Sequence, residues 1–224
     1  MASTNEVAAR LDRTVTARKL LDHPFYKAWA AGELTTEDLR FYSTQYWRQV
    51  ESFPGYLTSL ADRLPESPAR DVVLENLSDE VDGDHAELWL RFAESVGATR
   101  AEVRETLPEP ETDRCVESFS NGTDSHSLAF GLGMLYGYES QTPEVAKTKA
   151  AGLRDLYGIE GAGLDYFELH GELDVEHARE LAGAIAHVAT DEAALSDAEA
   201  GARAGAEAIY GLLDGVARSR AICV

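Results

Sequence analysis

The sequence predicts an all-α protein, a helical bundle folded as a single domain over residues 1–224. Three observations carry this expectation. Apolar residues recur at three- and four-residue spacing along nearly the whole chain, and no segment of useful length alternates apolar with polar as a half-buried strand would. Proline and glycine mostly punctuate the gaps between these periodic stretches. No internal repeat or low-complexity tract divides the chain, and 224 residues are enough for one core of real size.

Taken in order, Val7, Leu11, Val15 and Leu20 keep near-helical spacing, so a first helix is expected over 5–21, with Pro24 interrupting it. The aromatic stretch HPFYKAW, 23–29, ends at Gly32. Thr35-Thr36-Glu37-Asp38 sets hydroxyls ahead of early acids, a helix start. The helix that follows carries Leu39, Phe41, Tyr42, Tyr46, Trp47, Val50 and Phe53, and is expected to kink at Pro54 before Leu57, Leu60 and Leu64 continue its stripe. A helix over 68–81 breaks at Gly83, and Asp84 is placed to cap the next, which holds Leu88, Trp89, Phe92 and Val96 and stops at Gly97. The spacing then predicts a short helix over 99–106, a loop over 109–112, a short helix over 114–120 and a turn at Asn121-Gly122. Ser125 is read as the cap of an apolar helix over 128–140, and Pro143 as the start or bend of one running to Tyr157. After a joint at Gly158, Gly161 and Gly163, a helix begins near Leu164, breaks around Gly171 and resumes at Val175. The last helix, 193–216, is rich in alanine and glycine, which suits close packing of helices.

Forty acidic residues against twenty basic ones give a formal net charge of −20. The only lysines are Lys19, Lys27, Lys147 and Lys149. Such a surface repels phosphate backbones and anionic lipid, so neither nucleic acid nor membrane is an expected partner. Acid excess with so little lysine resembles a salt-adapted, halophilic protein. Cys115 and Cys223 imply no disulfide framework, and Cys223, next to last, is not placed as a prenylation cysteine. Without a signal-peptide pattern or a membrane-length apolar run, a cytoplasmic location is expected.

The stretch HGELDVEH places His170, Asp174 and His177 at i, i+4 and i+7. On a helix Asp174 lies roughly 40° from His170 and His177 roughly 20° to the other side, so one stripe presents all three. Two imidazoles and a carboxylate suit iron, manganese or zinc, with a solvated helical face as the plain alternative. Glu80 and His85 flank Gly83, and Glu139 ends an otherwise apolar helix, where a carboxylate is costly unless paired or metal-bound. Asp79, Asp82 and Asp84 are alternatives to Glu80. The six together would offset all but about one unit of the charge on two divalent ions, as a dinuclear site in a bundle core requires. His23, His126 and His187 fit that set less well.

These segments resemble the haem-oxygenase-like dimetal oxidases, and within them the p-aminobenzoate synthases related to the Chlamydia protein associating with death domains. The matching stretches are HPFYKAWAAGELT, ENLSDE with HAELW, LYGYESQ and HGELDVEHARE, covering about residues 20–180, with the terminal IYGLLDG also fitting. HPFY alone is shared with relatives of thiaminase II and of the pyrroloquinoline-quinone synthase; the six-ligand set is more specific. The resemblance implies a haem-oxygenase-like bundle that is a homodimer. It also implies two metal ions, iron with iron or iron with manganese, used with O2 and a reductant. It assigns the metal pair to Glu80, His85, Glu139, His170, Asp174 and His177. By the same resemblance Tyr26 matches a tyrosine that the family cleaves as its own substrate, Lys149 matches the lysine proposed to donate the amino group, and Tyr42 and Tyr138 match tyrosines near the site. Between Glu80 and His85 the chain is about two residues shorter than the family pattern.

Tyrosine and p-aminobenzoate share a para-substituted ring. Going from one to the other requires cleaving Cα–Cβ, oxidising Cβ and replacing the ring oxygen by nitrogen. A chain that spends Tyr26 and Lys149 this way turns over once. The alternatives are a dimetal oxygenase acting on a separate small molecule, a metal-free oxidase of the pyrroloquinoline-quinone synthase type, and a non-catalytic metal-binding or protein-binding helical module.

The charge excess has a direct test. Salt shortens the range of carboxylate repulsion from roughly 10 Å at 0.1 M to roughly 3 Å at 1 M. The melting temperature should therefore rise between those concentrations of potassium chloride, and a flat melting temperature would contradict the halophilic reading.

Overall fold

Capping chemistry decides where several of the helices begin. Ser3, Thr35 and Thr99 each accept a hydrogen bond from the backbone N–H three residues on, while the acid at that position reaches back, as a capping box. Pro24, Pro68 and Pro110 each occupy a first helical position, where the missing N–H costs nothing. The computed structural model describes residues 2–222, so the expectations for Cys223 lie outside the described residues. Eleven α-helices follow among those residues: α1 Thr4–Thr16, α2 Pro24–Ala31, α3 Thr36–Arg63, α4 Pro68–Asp82, α5 His85–Ser95, α6 Arg100–Glu105, α7 Pro110–Asp124, α8 Leu128–Glu139, α9 Thr142–Leu156, α10 Asp165–Val188 and α11 Glu192–Ser219. Single 3-10 turns at Leu20–Asp22 and Gly161–Gly163 make two of the joints. The described residues contain no strand, and none of their helices is long and apolar enough to cross a membrane.

Tertiary packing overrides several local signals. Pro24 opens α2 rather than merely ending α1, which stops at Thr16. The helix α3 does continue past Pro54, as its stripe requires, with Val50, Phe53, Leu57 and Leu60 buried on both sides of it. The expected loop and turn around 109–122 are one helix, α7. Gly122 sits inside it because Met134 of α8 packs there; a Cβ would come 2.0 Å from the Met134 sulfur. Asp84 precedes α5 in a left-handed conformation, φ 49°, and its side chain makes no cap. Ser127, not Ser125, caps α8. The expected break at Gly171 is absent, and α10 is continuous because the bare glycine lets the Lys147 side chain of α9 lie against it.

The helix α8 is buried along nearly its whole length, and its most extensive partner is α11, with α10, α7 and α3 around it. The closeness of α8 to α11 follows from small residues. A Cβ on Gly133 or Gly137 would lie 2.2 or 2.1 Å from the carbonyl oxygens of Ala198 and Ala202, and one on Gly201 or Gly205 would lie 2.0 or 2.4 Å from those of Phe130 and Met134. The two backbones therefore touch directly. Substituting Gly137→Ala should cost about 3 kcal/mol, the upper end for overpacking, since backbone rather than a flexible side chain must move. Gly211→Ala, on the same α11 but with nothing within 4 Å, should stabilise by up to about 1 kcal/mol. Urea midpoints of the two variants would test the contrast.

Candidate metal centre

Four helices bring the six sequence-selected ligands into one buried cluster. Glu80 comes from the last turn of α4, His85 from the first residue of α5, Glu139 from the last residue of α8, and His170, Asp174 and His177 from the middle of α10. Glu80 faces inward, while Asp82 and Asp84 are exposed. Its two oxygens lie 3.0 Å from Nδ1 of His85 and 3.8 Å from Nε2 of His170, whose rings meet edge to face at 4.6 Å. Ligand atoms of these three residues lie within 4.8 Å of one another. Asp174 Oδ1 is 3.4 Å from Nδ1 of His177, and Glu80, Glu139, His170 and Asp174 line one narrow cavity.

Surrounding contacts fix which nitrogen of each ring faces the cluster. His170 Nδ1 lies 2.7 Å from the Tyr166 carbonyl, so it carries the proton and leaves Nε2 free. His177 Nε2 lies 3.1 Å from Asp79 on α4, which frees its Nδ1. At His85 the ring lies against Gly83, where a Cβ would come 2.7 Å from Nε2, so Nδ1 is the nitrogen turned to Glu80. Asn76 donates 2.9 Å to Oε1 of Glu139 and holds that carboxylate, leaving Oε2 bare. Three buried atoms of the cluster, Nδ1 of His85, Nδ1 of His177 and Oε2 of Glu139, have no aligned hydrogen-bond partner. Buried polar atoms rarely stay unpartnered, and lone pairs converging from nitrogen and carboxylate oxygen are what iron or manganese ligation requires. The donor set fits such metals.

The electrostatics are those of crowded acids. Burial, with the neighbouring Asp174, pushes the Glu139 carboxyl up to about 8. Burial also opposes charge on Glu80 and His177. The imidazoles of His170 and His85 beside it nonetheless hold Glu80 down at about 2, and Asp174, Glu139 and Asp79 raise His177 to about 10.

A second buried cluster lies behind the first. Lys149 of α9 reaches into a nest of aromatic rings, its Nζ 2.5 Å from the Tyr42 hydroxyl and 4.8, 4.9 and 5.0 Å from the ring centres of Tyr26, Tyr42 and Tyr46. The placement is that of a cation–π contact, but burial drives the amine well below its usual pKa, which favours the neutral form. Burial likewise raises the phenols of Tyr26, Tyr42, Tyr46, Tyr138 and Tyr166. The Tyr26 hydroxyl is 3.5 Å from that of Tyr42, and Tyr46 donates 3.2 Å to Tyr138. Tyr138 and Tyr166 line both the cavity of the acid–histidine cluster and the small cavity beside Lys149, and so form the wall between them. Each cavity volume is about 10 Å³, room for about one water.

Sequence reasoning did not single out Asn76, Tyr46 or Tyr166 as site residues, and took Asp79 only as a substitute for Glu80. The spacing carried a signal for each: Asn76 is one turn before Glu80, Tyr46 one turn after Tyr42, and Tyr166 one turn before His170, on whose ring it stacks at 4.1 Å.

Comparison with known proteins places the chain in context. Residues 40–210 match a family described as iron-containing redox enzymes. A 4-aminobenzoate synthase of Chlamydia muridarum is 34% identical over 217 residues, covering 96% of this chain and 91% of that protein. A 4-aminobenzoate synthase of Nitrosomonas europaea is 32% identical, covering 96% and 92%. A solved Shewanella denitrificans domain with a haem-oxygenase-like fold superposes with a TM-score of 0.79 at 16% identity, covering 97% of this chain and 91% of its own.

The neutral Lys149 has a measurable consequence. Its folded pKa lies below the unfolded value, so the unfolded chain takes up a proton that the folded one refuses. The stability it contributes is present above the unfolded pKa of about 10.4 and lost as pH falls towards the folded one. Lys149→Met should therefore melt higher than the parent at pH 7, by about 2–4 °C per kcal/mol recovered. The gap should close as the pH approaches 10.

Proposed function

The chain belongs to the iron-containing redox enzymes of haem-oxygenase-like fold and is an oxidoreductase; from that premise we propose that it forms 4-aminobenzoate from its own Tyr26, with Lys149 as the nitrogen source. The names of its relatives support the product. One observation carries the choice of residues: the amine of Lys149, its pKa lowered by burial, stands 4.8 Å over the ring of Tyr26 in a buried aromatic nest.

In this reading Glu80, His85, Glu139, His170, Asp174 and His177 hold two ions, iron with iron or iron with manganese. With O2 and a reductant such a pair supplies oxidising power at the ligands. The remaining work falls to the chain. Tyr138 and Tyr166 stand between the ligands and the amine, and Tyr46, hydrogen-bonded to Tyr138, packs its ring 5.2 Å from that of Tyr42. Phenols thus reach from the ligands to the hydroxyl of Tyr26, each able to give up an electron if its proton has an acceptor. At Tyr42 the Lys149 amine donates 2.5 Å to the hydroxyl, so its lone pair stays uncommitted. The unprotonated Lys149 keeps a lone pair with which to attack an oxidised ring, and burial keeps that ring from water. The cavities favour this reading over a free aromatic substrate, because a volume of one water cannot admit a benzene ring.

Metal analysis and mass spectrometry test the proposal. The parent protein should bind two ions per chain, and His177→Ala should lose stoichiometric binding at one position. Tyr26→Phe and Lys149→Arg should each keep both ions and form no 4-aminobenzoate, Arg because it stays charged and cannot present a neutral amine. Ring-labelled tyrosine built into the parent should reappear in the product. Product formed from an added small molecule, with Tyr26 intact by mass, would overturn the reading in favour of an ordinary dimetal oxygenase.

A further inference from the structure

His23 belongs to neither buried cluster, yet no polar side chain in the described residues is more deeply buried. It stands directly ahead of α2 and caps it: Nδ1 accepts a hydrogen bond of 3.0 Å from the Phe25 N–H. That bond needs an unprotonated Nδ1, so the ring proton sits on Nε2, where Asp214 of α11 accepts it at 3.1 Å. Burial lowers the pKa of His23 against the pull of Asp214, which favours the neutral ring that this pair of bonds requires. Tyr210 of α11 closes the face, its ring edge-on at 4.5 Å.

The helix so capped has only eight residues, and Tyr26 is its third, directly after the capped amide. At the other end the Tyr157 hydroxyl donates 3.0 Å to the Trp29 carbonyl. Both ends of α2 are pinned, and the pin nearer Tyr26 runs to α11 rather than to the helices that carry Lys149 or Tyr42. An ordinary N-cap oxygen would satisfy the first-turn amide but would reach no second helix.

We propose that the His23–Asp214 pair is the positioning device for Tyr26: Nδ1 fixes the first turn of α2, and the bond from Nε2 to Asp214 sets where that turn stands relative to the Lys149 amine and the Tyr42 hydroxyl. The inference rests on the reading of Tyr26 as the reacting ring. Neither His23 nor Asp214 touches the ring's reacting atoms. A loss of about 1 Å in placement costs up to about a hundredfold in rate even when the change lies away from the chemistry.

Three variants separate capping from tethering. His23→Asn keeps a capping oxygen but is too short to reach Asp214. Asp214→Ala leaves the cap and removes the tether at a half-exposed residue. His23→Ala loses both. In the metal-free proteins, exchange of the Phe25 amide should be about fivefold faster in His23→Ala, the effect of one lost cap, and near parental in His23→Asn. In proteins loaded with iron or iron and manganese, then given reductant and O2, all three should consume Tyr26 about ten- to a hundredfold more slowly, with metal content and circular dichroism unchanged. Parental rates in both His23→Asn and Asp214→Ala would overturn the inference, because a merely structural histidine lowers the melting point without slowing the folded protein. If His23→Ala does not fold, the other two variants carry the test. If the parent itself makes product with Tyr26 intact, the reading beneath falls first, and the inference with it.

Discussion

The core is organised by the direct contact of two backbones. Gly133 and Gly137 on α8 meet Ala198 and Ala202 on α11, and Gly201 and Gly205 return the contact. Helices this close interact through main-chain atoms, which cannot change rotamer or yield to a neighbour. The helix α8 is thereby held as a fixed strut, and its C-terminal residues, Tyr138 and Glu139, project from its end into the centre. A carboxylate buried at the end of an apolar helix is tolerable only if its position relative to compensating groups is invariant. The small-residue seam supplies that invariance, and Asn76 of α4 completes it from the opposite side.

Around this strut the protein separates two kinds of chemistry that would interfere if mixed. On one side lie nitrogen and carboxylate donors, three of whose buried lone pairs have no protein partner. On the other lies the Lys149 amine among aromatic rings, where burial lowers its pKa and where the proposed reaction would need it unprotonated. A carboxylate beside Lys149 would raise its pKa and remove its nucleophilicity; Tyr138 and Tyr166 form a phenolic wall that keeps the acids out. Both rings are apolar in bulk and carry one polar atom each, so the wall insulates charge while remaining oxidisable.

Much of this was legible in the sequence because helical period is a strong signal. The stripe His170, Asp174, His177 emerges from spacing alone, and the bundle follows from the same periodicity. Other features were hidden where tertiary packing outweighs local preference. Gly171 reads as a break and Asn121-Gly122 as a turn, yet each lies in an unbroken helix whose neighbours pack against it. The inward turn of Glu80 rather than Asp82 or Asp84 is set by the tight joint at Gly83 and the left-handed Asp84, which no periodicity encodes. Asn76 and Asp79 were obscured because polar residues in an acidic segment look like solvent-facing ones until their partners on α8 and α10 are known.

Tyr26 is both a candidate reagent and a fully buried part of the core, packed against Phe25, Tyr42 and the Lys149 side chain. Cleaving its Cα–Cβ bond would leave a glycine-like residue in the short helix α2 and an empty space where a ring had been. Loss of a buried aromatic side chain costs about 3–5 kcal/mol, against a total of about 5–15 kcal/mol for a domain. A spent molecule would therefore open more often and be cleared sooner by proteases than a fresh one. Supply of the product would then follow the rate at which ribosomes make the chain, not the amount of protein standing in the cell, and the age of each molecule would be recorded in its own fold.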